Sequence, residues 1–143
     1  MGTIVVGVDG SVSSVEALRF AAREARLRGA TLHAVTAWHI PGVAYGGGFA
    51  PSVNMRSFES NAQESLDGAL AKLGEDGEGV SIVRKVREGH PAHVLVEEAR
   101  GADMLVVGSR GHGGFTGLLL GSVGQQCAHH ARCPVAIVSA DAT

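Results

Sequence analysis

The sequence predicts an α/β fold in which one parallel sheet is wound in both directions and covered by helices on both faces. Three observations carry that expectation. Short β-branched apolar runs alternate with stretches of helical periodicity, in the order β-α-β-α-β-α-β-α-β. The runs at residues 3–8 and 104–107 are continuously apolar, as strands buried between two helical layers must be. Glycine, at 21 of 143 residues, gathers at 46–48 and 108–124, and the second cluster starts where an apolar run ends. The alternation implies parallel strands. Right-handed crossovers then favour a doubly wound sheet, which binds ligands at strand carboxyl ends where the winding reverses.

Residues 3–8 read as the first strand, and Asp9-Gly10-Ser11 breaks it. Ser13 with Glu16 fits a capping box. Val15, Leu18, Ala22 and Ala25 then line one helix face, which Gly29 closes at about Arg28. Residues 31–37 form a second strand, and 41–52 are irregular and rich in Gly and Pro. Phe58, Ala62, Leu66, Ala69 and Leu73 predict a helix over 54–73, followed by a polar, acidic loop at 74–79. Residues 81–87 alternate as a third strand. Gly89-His90-Pro91 starts a helix whose buried side is Val94, Leu95 and Ala99, with Pro91 at a tolerated first-turn position. Residues 104–107 are the fourth strand. Ser122 with Gln125 fits another capping box, predicting a helix over 122–131, and 134–138 are the fifth strand.

The length suits one domain over 1–143, without internal repeat, and 45% hydrophobic residues suffice for a packed core. A net charge of −2 implies no general attraction to nucleic acid or anionic membrane. The apolar runs are too short to cross a bilayer. The N-terminus passes directly into the first strand without a basic start or a small-residue cleavage site, so no secretory signal is expected. Two cysteines in that context suit a reducing, cytoplasmic setting.

The second glycine cluster is the strongest candidate site. Gly108 ends the fourth strand, Gly111 follows, and Gly121-Ser122 precedes a helix. Consecutive loop N–H groups form an anion nest, and a helix N-terminus adds donors and a favourable dipole. Glycine lets oxyanions approach without a Cβ. The plainer alternative is a tight turn and a capped helix. A Walker loop requires Gly-Lys-Ser/Thr, but Lys72 and Lys85 are the only lysines and neither lies near a glycine loop. Gly7-Val8-Asp9-Gly10-Ser11 supplies no dinucleotide Gly-x-Gly-x-x-Gly. The extra acids and late lysine of a phospho-acceptor receiver are also missing.

The pattern Gly108-x2-Gly111-x9-Gly121-Ser122 resembles the ATP-binding signature of the universal stress protein family. Four further stretches resemble that family in order: Ile4-Val5-Val6-Gly7-Val8-Asp9-Gly10-Ser11, Val35-Thr36-Ala37-Trp38, Ala102-Asp103-Met104-Leu105-Val106-Val107-Gly108, and His129-His130-Ala131-Arg132-Cys133-Pro134-Val135. The resemblance implies a Rossmann-like, adenine nucleotide alpha hydrolase-like sheet of five parallel strands in the order 3-2-1-4-5. It also implies a homodimer paired through the last strand, Val135, Ala136, Ile137 and Val138. Carried over by position, Asp9 would contact the adenosine part, and Ala37 and Val107 would line the adenine pocket. Gly108, Arg110 and Gly111 would wrap the ribose and phosphates, and Gly121, Ser122 and Val123 would hold the phosphates. The resemblance also implies Mg²⁺ with the phosphates of ATP, and no cluster of acids in the sequence would bind a cation without the nucleotide.

Several residues admit two readings. Asp9 is a nucleotide acceptor or an Asx turn before the first helix. Arg110 is a bidentate phosphate partner or a solvated loop charge. Cys127, His129, His130 and Cys133 look like a metal cluster but resemble the family's ordinary helix-to-strand joint. Residues 46–48 suit a mobile lid better than a second phosphate site. Binding groups without a convincing general base or catalytic lysine favour an ATP-binding regulatory module with little or no turnover and an unidentified protein partner. A slow ATPase or nucleotidyl-transfer enzyme of the same fold is the alternative.

Overall fold

The computed structural model describes residues 2–39, 55–110 and 121–140. Five strands form one all-parallel sheet: β1 (Thr3–Gly7), β2 (Thr31–Trp38), β3 (Ile82–Glu88), β4 (Met104–Gly108) and β5 (Val135–Val138). Their spatial order is β3-β2-β1-β4-β5. The helices are α1 (Val12–Arg28), α2 (Met55–Ala71), α3 (Pro91–Glu98) and α4 (Ser122–His130). The 3-2-1-4-5 order therefore holds, and β1 and β4 lie side by side at the centre.

Alternating side chains of the central strands build two cores. Ile4, Val6, Leu32, Ala34 and Val106 face one way and pack with Leu18, Ala21 and Ala22 of α1 and Leu66 and Leu70 of α2. Val5, Val35, Leu105 and Val107 face the other way and pack with Val94 and Leu95 of α3 and Cys127 of α4. This two-sided burial explains the unbroken apolar runs. Each fully buried Leu or Ile contributes about 1.5–3 kcal/mol. Burial also raises the Cys127 thiol to about 11, so it packs as a small apolar group.

Three local expectations are corrected. α1 is capped by Ser11, whose side chain accepts from the Ser14 N–H, so Ser13 lies inside the first turn. Gly29 does end that helix, in the left-handed region at φ 64°. The acidic stretch read as a loop contains a 3-10 turn, Gly74–Gly77. Arg26 of α1 organises this stretch by donating to the carbonyls of Glu75, Asp76 and Glu78. At α4 the cap is Gly121, with no side-chain cap bond, and Ser122 is the first helical residue.

At the β3 edge, Glu98 of α3 accepts from Lys85 at 2.8 Å and from Arg87 at 2.9 Å, while Arg87 also reaches Glu97 at 2.8 Å. Burial alone would raise the Glu98 carboxyl, but the hydrogen bonds from Lys85 and Arg87 outweigh it and hold the group below its ordinary range. His33, on the neighbouring strand, is lowered by burial and by the Lys85 charge, with Glu98 partly opposing.

A depressed histidine stays neutral in the folded chain while the unfolded chain takes up its proton. Stability from His33 is therefore present above pH 6.5 and is lost as pH falls through the lower folded value. Glu98 adds a second loss below its ordinary 4.5. Denaturant unfolding from pH 8 to about pH 2.5 is expected to show falling stability on acidification. Glu98→Gln should flatten the lower segment.

Candidate functional site

β1 and β4 are neighbours, but the chain leaves them toward opposite faces. After β1 it enters α1 in the first core, and after β4 it reaches α4 in the second. A crevice opens between their carboxyl ends, with about 510 Å³ of free space opening to solvent. Its walls are apolar, with Val8, Val35, Ala37, Leu95, Val107 and Val123 bordering it. The polar groups on its border include Asp9, Ser14 and Arg110. Such a cavity suits a flat apolar ligand part between the walls and a polar part at the rim.

Asp9 is exposed at the rim. Its Oδ1 accepts from the Ser11 N–H at 2.9 Å, and its own N–H donates to Ser14 Oγ at 3.3 Å. Both sequence readings therefore meet in one residue: Asp9 makes an Asx turn and borders the crevice. Gly108 also borders the crevice, but its lack of a side chain has another cause. A Cβ built there would lie 2.5 Å from Ser13 Oγ and 2.7 Å from the Ser13 carbonyl carbon. Glycine ends β4 because the first turn of α1 occupies that space.

The loop stem is closed from both ends. The Ser109 N–H donates to the Val138 carbonyl at 2.8 Å, and the Ser109 carbonyl accepts from the Gly121 N–H at 2.6 Å. The crevice thus brings together Asp9, Ala37, Val107, Gly108, Arg110 and Val123. Gly121 and Ser122 stand one step away at the start of α4 and do not line it. Gly111 and the proposed lid at 46–48 lie outside the described residues.

Sequence reasoning missed Ser14, Pro91 and Leu95. Ser14 is visible in the serine run after Asp9, and Pro91 was assigned only a helix start. Leu95 is a core leucine whose second exposure to the crevice has no local signal. The Cys127, His129, His130 and Cys133 cluster does not assemble: Cys127 faces the core while both histidines are exposed. Among the described residues no three His, Cys, Asp or Glu side chains gather around a point.

The sequence matches the universal stress protein family over residues 1–139. The universal stress protein Rv2623 of Mycobacterium tuberculosis is 39% identical over 134 residues, 94% of this chain and 44% of that protein. The chain thus spans less than half the length of such curated relatives. A universal stress protein solved in complex with cAMP has 28% identity and a TM-score of 0.71, covering 96% of each chain. The Archaeoglobus fulgidus universal stress protein in complex with dAMP has 27% identity and a TM-score of 0.70, covering 96% of this chain and 98% of that one.

The two β1 and β4 terminal glycines should respond differently to a methyl group. A Cβ at Gly7 meets only the flexible Leu95 Cδ1, at 2.7 Å, whereas one at Gly108 meets the Ser13 backbone. Gly108→Ala is expected to destabilise by about 1–3 kcal/mol, and Gly7→Ala by less. Thermal unfolding of the two variants checks the order.

Proposed function

The chain belongs to the universal stress protein family, and we propose that it is an adenine-nucleotide-binding regulatory unit that takes ATP and turns it over little. The observation that carries this reading is the crevice itself, apolar between Ala37 and Val107 and polar at Asp9 and Arg110. The apolar walls suit a purine, and Asp9 suits a ribose or amine donor. Arg110 suits phosphate, as a charge-assisted bidentate donor. The start of α4 supports a phosphate at Gly121, Ser122 and Val123, because its cap residue, Gly121, has no side chain to take up the leading N–H groups. The solved relatives holding cAMP and dAMP support an adenine ligand.

A divalent cation fits this site only with the nucleotide. Asp9 is the one carboxylate on the described border of the crevice, and its Oδ1 already accepts from Ser11. Mg²⁺ would neutralise phosphate charge, while Arg110 and the loop amides would orient the phosphates. Little turnover follows from the same inventory. Among the described lining residues the titratable ones are Asp9 and Arg110, which leaves no histidine or lysine to activate water. No described helix is long and apolar enough to cross a membrane, and we place the protein in the cytoplasm.

We further propose a homodimer through β5. Among the described residues this strand pairs with β4 alone, and Ile137 is 38% exposed on it. An uncovered apolar edge of this kind favours pairing with a second copy.

Calorimetry should show saturable ATP binding by the wild type, weakened about tenfold or more in Arg110→Ala and abolished in Ala37→Phe, which fills the pocket. Phosphate release should stay near background. Absence of ATP binding contradicts the reading, and sustained release above background favours the ATPase alternative. Light scattering at micromolar concentration should report a dimer that Ile137→Glu dissociates. A wild-type monomer would sink the dimer proposal.

A further inference from the structure

The first turn of α1 carries more hydroxyls than a cap needs. Ser11 alone performs the cap, accepting from the Ser14 N–H at 3.2 Å. Ser13 is free of that duty, and it is buried, with 4% of its surface exposed. Its hydrogen-bonding capacity goes instead to one residue far along the chain. The Ser13 hydroxyl donates to the Arg110 carbonyl, and its oxygen accepts from the Arg110 N–H at 3.3 Å. Ser11 Oγ donates to the same carbonyl, also at 3.3 Å.

A side chain that takes both the N–H and the C=O of one residue holds that residue as a strand partner would. Ser109, the preceding residue, is held by Val138 of β5 and by Gly121 at the start of α4. The Ser109-Arg110 segment is therefore fixed from three directions, and the side chains of the first turn of α1 supply one of them: Ser13 through both the N–H and the C=O of Arg110, and Ser11 through the C=O alone. Arg110 also borders the crevice. Because Gly108 has no Cβ, Ser13 can come close enough to make this contact.

We propose that Ser13 is a positioning residue for nucleotide binding: it latches the Arg110 backbone to α1 and so presets the Ser109-Arg110 rim of the crevice before the ligand arrives. This rests on the nucleotide reading above, but Ser13 is not among the described residues lining the crevice and acts on it through Arg110. A loop already held in place loses less conformational freedom on binding, so the latch acts mainly on affinity and residence time. Ser14, by comparison, is committed to Asp9 and Ser11.

Two measurements on the ligand-free and ATP-titrated full chain test this. Amide hydrogen exchange should show Arg110 N–H protected in the wild type and in Ser13→Thr, which keeps the hydroxyl. In Ser13→Ala it should exchange at least tenfold faster, with β1 and β4 core amides unchanged. Calorimetry with ATP should show Ser13→Ala binding about tenfold more weakly, with Ser13→Thr restoring most of the loss. An unprotected Arg110 amide in the wild type overturns the latch without any variant. Faster exchange with unchanged ATP affinity overturns the positioning role. Equal losses of core protection in Ser13→Ala would also overturn it, by showing a general packing defect. A wild type that binds no ATP defeats the functional reading and the positioning role together, while exchange still reports whether the latch exists.

Discussion

The arrangement depends on one close approach, the first turn of α1 against the end of β4. Gly108 makes it possible, since any Cβ there would run into Ser13. β1 and β4 pair directly, so the segment after β1 and the segment after β4 start side by side and then diverge to opposite faces. Divergence opens the crevice, and the close approach ties its two lips together. A side chain at 108 would wedge α1 away from the loop, and the rim formed by Asp9 and Arg110 would separate.

Among the described residues, the crevice is bordered by two charged side chains, Asp9 and Arg110. Its walls are valine, alanine and leucine, and its polar groups are mostly spoken for by local hydrogen bonds. The strong ion pairs lie elsewhere, between β3 and α3, where Lys85, Arg87, Glu97 and Glu98 brace the sheet edge. A second brace joins α1 to the 3-10 turn through Arg26. Braced elements therefore surround a crevice whose described lining is largely apolar side chain.

The fold was legible because β1 and β4 are apolar on both faces and the helices between the strands are periodic. The crevice was legible to the extent that its residues follow strands directly: Asp9 after β1, Ala37 in β2, Val107 and Gly108 in β4. What the sequence hid was long-range pairing. Ser13 with Glu16 has the spacing of a capping box, yet Ser13 is used by Arg110 at a separation of 97 residues. Local spacing also put Ser122 at a cap that Gly121 occupies. The acidic stretch after α2 looked like solvated loop because its organiser, Arg26, lies in another helix. Gly108 was singled out as a place where oxyanions approach, whereas its close contact with the first turn of α1, a further reason for glycine, has no local signal.

The central claim is that the crevice between the ends of β1 and β4 is where an adenine nucleotide sits. An NMR titration of the isotopically labelled chain with ATP tests it most directly. The account predicts saturable shifts at Asp9, Ala37, Gly108, Arg110 and Val123, with Leu66 of α2 and Glu98 of α3 unmoved. Shifts confined to other surfaces, or none at saturating ATP, would contradict it.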